Sequence, residues 1–181
     1  FNEWLNQVLA SMGESSRVLL GAVLGGMMAI DFGGPFNKAA YVFGTASIAS
    51  GQFGIMAAVM AGGMVPPIGI ALATLFFKNR FTKSEQQTVA TNFIMGLSFI
   101  TEGAIPFAAS DPLRIIPPCI AGSAVAGALS MLFGCGSRAP HGGIFVIGII
   151  DNPLLFLAAV AAGSVVAMLG IVLLKKPLAA K

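Results

Sequence analysis

The sequence predicts an all-α integral membrane protein, with several transmembrane helices and two re-entrant hairpins. Three observations lead there. Charged residues make up 9% of the 181 and hydrophobic ones 56%, whereas a soluble domain carries about 25% charged residues, so water is not the main solvent. Leu154 to Leu174 runs 21 residues without a charge, and a spanning helix takes about 20. Polar, Gly- and Pro-rich interruptions fall within the apolar stretches, where lipid offers the backbone no partners; they must be buried in protein or line a wet cavity.

From the start, Phe1 to Arg17 mixes polar and apolar residues, with Trp4, Leu5, Val8, Leu9 and Met12 at helical spacing, as in an interfacial helix or a loop. It has neither the basic start nor the apolar run of a cleaved signal peptide, and the chain is expected to begin within a longer protein. Val18 to Ile30, 13 residues, is too short to span alone and runs into Asp31, Gly33, Gly34, Pro35, Asn37 and Lys38. Residues 18–43 therefore read as a helix with a broken or re-entrant end. Ala39 to Phe77 holds 39 charge-free residues, about 58 Å as one straight helix against a hydrocarbon core of about 30 Å. It must break, at Gly51-Gln52, Gly62-Gly63 or Pro66-Pro67.

Residues 78–88 follow as a polar loop whose Lys78, Arg80 and Lys83 place it in the cytoplasm by the positive-inside rule. Lys175, Lys176 and Lys181 put the chain's end on the same side, so an even number of crossings separates the clusters. Residues 115–134 and 154–174 supply two. That leaves 89–111 and 139–150 as hairpins that each enter and leave by one face, with polar centres at Thr101-Glu102-Gly103 and Pro140-His141-Gly142-Gly143. Discontinuous helices with polar tips near the midplane are how many transporters build a site. Part of the glycine content reads instead as close helix packing of the small-xxx-small type, as at Gly122 to Ala126.

Glu102 is the most informative residue, because a carboxylate among Phe99, Ile100, Ala104 and Ile105 costs about 3 kcal/mol to insert. It is a candidate substrate ligand and proton acceptor, the structural alternative being an ion pair with Arg114, Lys38 or Arg138. His141, the single histidine, lies in a bend between Pro140 and Gly142-Gly143 and can donate to a substrate or exchange a proton near neutral pH; the alternative is a loop histidine bonded to a backbone carbonyl. Asn37 is a candidate substrate ligand and Lys38 a balance for Glu102 or Asp31, against a cap with an interfacial anchor. Asp111 and Arg114 read as a helix cap and a snorkelling arginine. Cys119 and Cys135 lack the spacing of zinc or redox sites and read as packing residues. No metal or cofactor is predicted. Gly21, Gly25 and Gly26 follow no strand, so they make no nucleotide fingerprint, and no nucleophile–base set is visible. The net charge of +3 reflects membrane topology rather than nucleic-acid binding.

Three motifs carry a resemblance: Asp31-Phe-Gly-Gly-Pro-Phe-Asn-Lys-Ala-Ala-Tyr41, Phe99-Ile-Thr-Glu-Gly-Ala-Ile-Pro-Phe107 and Ala139-Pro-His-Gly-Gly-Ile-Phe145. Together they resemble the fructose family of phosphotransferase-system permeases, in the membrane C component of enzyme II, and the likeness runs over nearly the whole chain as the C-terminal half of such a domain. Where the family usually has Gly-Ile-Thr-Glu this chain has Phe99-Ile100-Thr101-Glu102, a departure that leaves the carboxylate in place and reads as conservative.

The resemblance implies the transport-domain fold of the glucose-superfamily enzyme II C components, on a dimerising scaffold in the bacterial inner membrane. It implies sugar binding by Glu102 with Thr101, Asn37, His141 and Gly142 close by, and a part for Glu102 and His141 in the chemistry. The phosphoryl group comes from a B component phosphorylated on cysteine, itself served by an A component; no B-type segment lies in this chain. A proton-coupled sugar transporter and a membrane scaffold without transport are the alternatives.

Overall fold

A computed structural model describes residues 14–32, 34–49, 51, 53–77, 81, 83–139 and 142–174. Helix α1 (Glu14–Ile30) stops at Asp31, and α2 (Pro35–Ala49) starts four residues after it. The 39-residue charge-free stretch breaks at Gly51, where a φ of +79° suits glycine. Beyond it α3 (Phe53–Phe76) is one helix that contains both Gly62-Gly63 and Pro66-Pro67.

Those prolines should break it. Each lacks the N–H that would bond the carbonyl four residues back, so Pro66 and Pro67 release the carbonyls of Gly62 and Gly63. Two hydroxyls from distant parts of the chain recapture them: Ser123 Oγ donates to Gly62 O at 2.9 Å and Thr101 Oγ1 to Gly63 O at 2.8 Å. The helix therefore continues, and every residue from Ile55 to Ala71 is buried, as befits a helix apolar on all sides.

After the short α4 (Lys83–Gln86) and α5 (Val89–Leu97), the chain turns through a 3-10 segment (Thr101–Ala104) into α6 (Ile105–Ser110). Then come α7 (Pro112–Leu132) and α8 (Pro153–Leu174). Between these, β1 (Gly136–Ser137) and β2 (Ile150–Asp151) pair antiparallel, Gly136 opposite Asp151, and close the loop that contains a second 3-10 segment, Gly143–Ile149. Its base is tied by Asn152 Nδ2, which donates to the carbonyls of Phe133 and Gly134 at 3.2 Å. Arg138 bonds Asp151 at 2.8 Å and lies over the Phe53 ring at 4.7 Å.

Around α3 pack α1, α7 and α8, and small residues line the seams. Gly21 faces Gly127 and Met131 while Gly26 faces Ile120 and Ala124, so α1 and α7 run antiparallel; Gly163 meets Gly122 and Ala126 between α8 and α7. Lipid supplies no hydrophobic drive between helices, so close backbone approach has to hold them together. Helices α3, α7 and α8 are long and apolar enough to cross a membrane, and α1 is shorter. The class expected from sequence, a helical membrane protein, is thus what the chain forms.

A Cβ at Gly62 would fall 2.5 Å from the Gly25 Cα, whereas one at Gly148 meets nothing within 4 Å. Gly62→Val should therefore separate α1 from α3 and cost about 1–3 kcal/mol as overpacking, lowering the melting temperature in detergent. Gly148→Ala should leave it within about 0.5 kcal/mol of the parent, as for ordinary surface changes.

Candidate functional site

A cavity of about 380 Å³ opens between the α1–α2 break, α2 and the Thr101–Ala104 turn. One wall is set by the break, which is stitched from both sides. The Asp31 carboxylate accepts the N–H groups of Phe36 at 2.8 Å and Asn37 at 3.1 Å, capping α2 with a charge of the favourable sign. In return Asn37 Nδ2 donates to the Met28 carbonyl at 3.0 Å, near the end of α1. Asn37 is 8% exposed and lines the cavity. Lys38, Tyr41 and Val42 continue the same face of α2, one helical turn apart.

The opposite wall is the turn after α5. Ile100 N–H donates to Met95 O at 2.8 Å and Phe99 N–H to Gly96 O at 3.1 Å, the paired bonds of a Schellman helix end. The left-handed position of that motif favours glycine, yet it holds Phe99 at φ +65°. The departure read from sequence as conservative is therefore a conformational one, costing about 1–2 kcal/mol. Burial of the ring offsets it, since a buried Phe contributes about 1.5–3 kcal/mol and Phe99 is 4% exposed. The ring lies on Gly63 and faces Tyr41 at 6.3 Å between centroids.

Thr101 spends its hydroxyl proton on Gly63 O, which fixes the next residue, and Glu102 turns its exposed side chain to the cavity. None of the cations expected as a structural partner takes it. Arg114 pairs with Asp111 at 3.7 Å, Arg138 pairs with Asp151 at 2.8 Å, and Lys38 forms no ion pair among the described residues, with Asp31 or with Glu102. Asp111 stands at the start of α7 but makes no side-chain cap bond, so the arginine, not the helix end, engages it.

The structure thus brings Asn37, Thr101 and Glu102 to one cavity. His141 and Pro140 lie outside the described residues. Gly142, with φ +125°, does not line the cavity; its neighbour Gly143 instead packs on Leu97 and Phe99 behind it. Tyr41 and Phe99 were not among the predicted site residues, although the spacing of Asn37 and Tyr41 could have shown the first. Cys119 and Cys135 are buried free thiols. Burial raises the Cys135 pKa above its usual value, the Asp151 charge adding to this and a Ser130 hydrogen bond opposing it, so it is no ready nucleophile. Among the described residues no three His, Cys, Asp or Glu cluster as metal donors.

Three helices long and apolar enough to cross a membrane, packed on one another, define a helical membrane protein, and its cavity holds a carboxylate with no ion pair among the described residues. The chain is related from end to end to the C component of fructose-family phosphotransferase permeases. It is 51% identical over 181 residues to the fructose permease IIC component of Bacillus amyloliquefaciens, covering all of this chain and 59% of that protein. It is 51% identical over 181 residues to the fructose-specific EIIABC component of Bacillus subtilis, covering 28% of it. Against the fructose-specific EIIB'BC component of Escherichia coli it is 49% identical over 178 residues, covering 97% of this chain and 32% of the relative. The chain therefore spans little more than half of the first and under a third of the other two. No family model matches it, and no solved structure matches it.

Thr101→Val keeps the side chain's shape and deletes its proton, leaving the Gly63 carbonyl buried without a donor. The expected cost is about 1–3 kcal/mol, read as a lowered melting temperature in detergent, while Thr101→Ser should retain most of the stability.

Proposed function

We propose that the permease containing this chain carries fructose or a fructose-like sugar across the bacterial inner membrane and presents it for phosphorylation by a B component. The observation that carries this is the Glu102 carboxylate, free of any ion pair among the described residues, in a cavity of about 380 Å³. Such a charge within a membrane is costly without a ligand or partner, and a sugar's hydroxyls supply donors to it. Relatives whose names join B and C components support a B-type partner. An A component, a lipid surround and a homodimer come to the chain by the same likeness.

Contacts with α3 support the re-entrant reading of both hairpins. Thr101 docks on Gly63, near the middle of α3, so with α3 across the bilayer Glu102 sits near the midplane. Residues 89–111 then run from the C-terminal end of α3 to that depth and back to Pro112. Residues 139–150 start from the other end, where a Cβ at Gly136 would lie 3.1 Å from the Phe53 Cβ, and Gly143 reaches the Leu97–Phe99 turn. On this reading the hairpins enter from opposite faces and meet where Gly143 packs on the Leu97–Phe99 turn, and His141 joins the proposed site by the family resemblance alone. In the transfer step a sugar hydroxyl oxygen attacks phosphorus, a P–O bond forms as the P–S bond of the B component's phosphocysteine breaks, and the hydroxyl proton passes to Glu102.

In the full-length permease with its B component, Glu102→Gln should weaken fructose binding by at least about tenfold, or 1.4 kcal/mol. Insertion and assembly should be unchanged. Normal affinity in that variant would remove Glu102 from the site. Uptake by the parent should stop in cells that lack the phosphotransferase phosphoproteins; uptake that continues would mean a proton-coupled transporter instead.

A further inference from the structure

We propose that Lys38 is a phosphoryl subsite: within the cavity that holds Glu102, it receives the anionic group that joins the sugar there. This rests on the permease reading and adds to it where the transferred group sits.

Lys38 lines the cavity with Asn37 and Glu102, and its side chain is exposed. No described carboxylate neutralises it. Both oxygens of Asp31 accept backbone N–H groups, Asp111 and Asp151 are paired with arginines, and Glu102 shares the cavity without forming an ion pair. Stability does not account for it either. It stands in the first turn of α2, where the helix dipole disfavours a cation. Nor does anchoring at a membrane surface. Its neighbour Asn37 bonds Met28 O, and a Cβ on Gly63, near the middle of α3, would lie 2.9 Å from the Met28 methyl. A lysine at that depth is too far from the headgroups for snorkelling to serve it.

A neutral hexose has no need of a full positive charge, because Glu102 and Asn37 already offer hydrogen bonds. An incoming phosphoryl group does. Glu102 by itself repels it, and the product ester carries a charge of about −1.5 to −2 at pH 7. With Lys38 opposite, the carboxylate takes the hydroxyl proton while the ammonium compensates the charge on the equatorial phosphoryl oxygens. Lys38 neither gains nor loses a proton in this step; it acts through its field alone.

The test uses the full-length permease in proteoliposomes with its phosphorylated B component, comparing the parent with Lys38→Gln and Lys38→Arg. Three quantities are read: fructose affinity without the B component, kcat for transfer, and inhibition by the phosphosugar product. Lys38→Gln should leave fructose affinity within about threefold, lower kcat by about a hundredfold and weaken product inhibition by at least about tenfold, in line with loss of one electrostatic stabiliser. Lys38→Arg, which keeps the charge, should restore most of kcat. Retained fructose affinity also certifies that the variant is folded. A parallel fall of fructose affinity and kcat would make Lys38 a sugar ligand or a structural residue and overturn the subsite; so would an unchanged kcat. A parent that fails to phosphorylate fructose would overturn the permease reading itself, before any variant is compared.

Discussion

Two carbonyls without helical partners govern this structure. Pro66 and Pro67 strand the Gly62 and Gly63 oxygens inside a helix that is buried from Ile55 to Ala71, where neither water nor lipid can reach them. Each orphan left unmade would cost about 1–3 kcal/mol. Ser123 and Thr101 remove both penalties, and in doing so they attach α7 and the Thr101–Ala104 turn to the middle of α3. The prolines thus act as docking points: the defect they create specifies where two other elements must bind.

The second wall of the cavity is held by a similar exchange over a shorter distance. Asp31 closes the start of α2 and Asn37 closes the end of α1, so the two helix ends are tied to each other. Bonds to a charged acceptor of this kind contribute about 1.5–3 kcal/mol, more than neutral ones. Polar residues that sequence offers as ligands are therefore partly spent on architecture. Asn37 gives an N–H to Met28 and Thr101 its proton to Gly63, while Glu102 and Lys38 form no ion pair among the described residues.

Much of this was legible in the sequence because it is local. The membrane-length helices α7 and α8 follow from charge-free windows, the corner at Asp31–Pro35 from its turn chemistry, and the place of Glu102 on a turn among apolar neighbours from the residues around it. Non-local pairing was not legible. Gly51, Gly62-Gly63 and Pro66-Pro67 are equivalent breakers in one dimension; only hydroxyls 61 and 38 residues away distinguish them. The left-handed backbone at Phe99 was hidden for the opposite reason, since nothing in an aromatic residue announces a conformation that its burial, not its propensity, sustains. Ion-pair partners for Glu102 were equally plausible by sequence, and the structure assigns Arg114 and Arg138 to nearer acids.

The Phe99 ring occupies the space that a methyl group on residue 63 would need. Side-chain size at these two positions is thus a shared quantity, and neither can grow unless the other shrinks. Natural variants should move between a bare backbone at 63 facing a ring at 99, and a small side chain at 63 facing a glycine at 99. The second state relaxes the left-handed turn and withdraws an aromatic surface from the cavity wall. Co-variation of a buried pair would then reshape the cavity, with none of its polar lining residues altered.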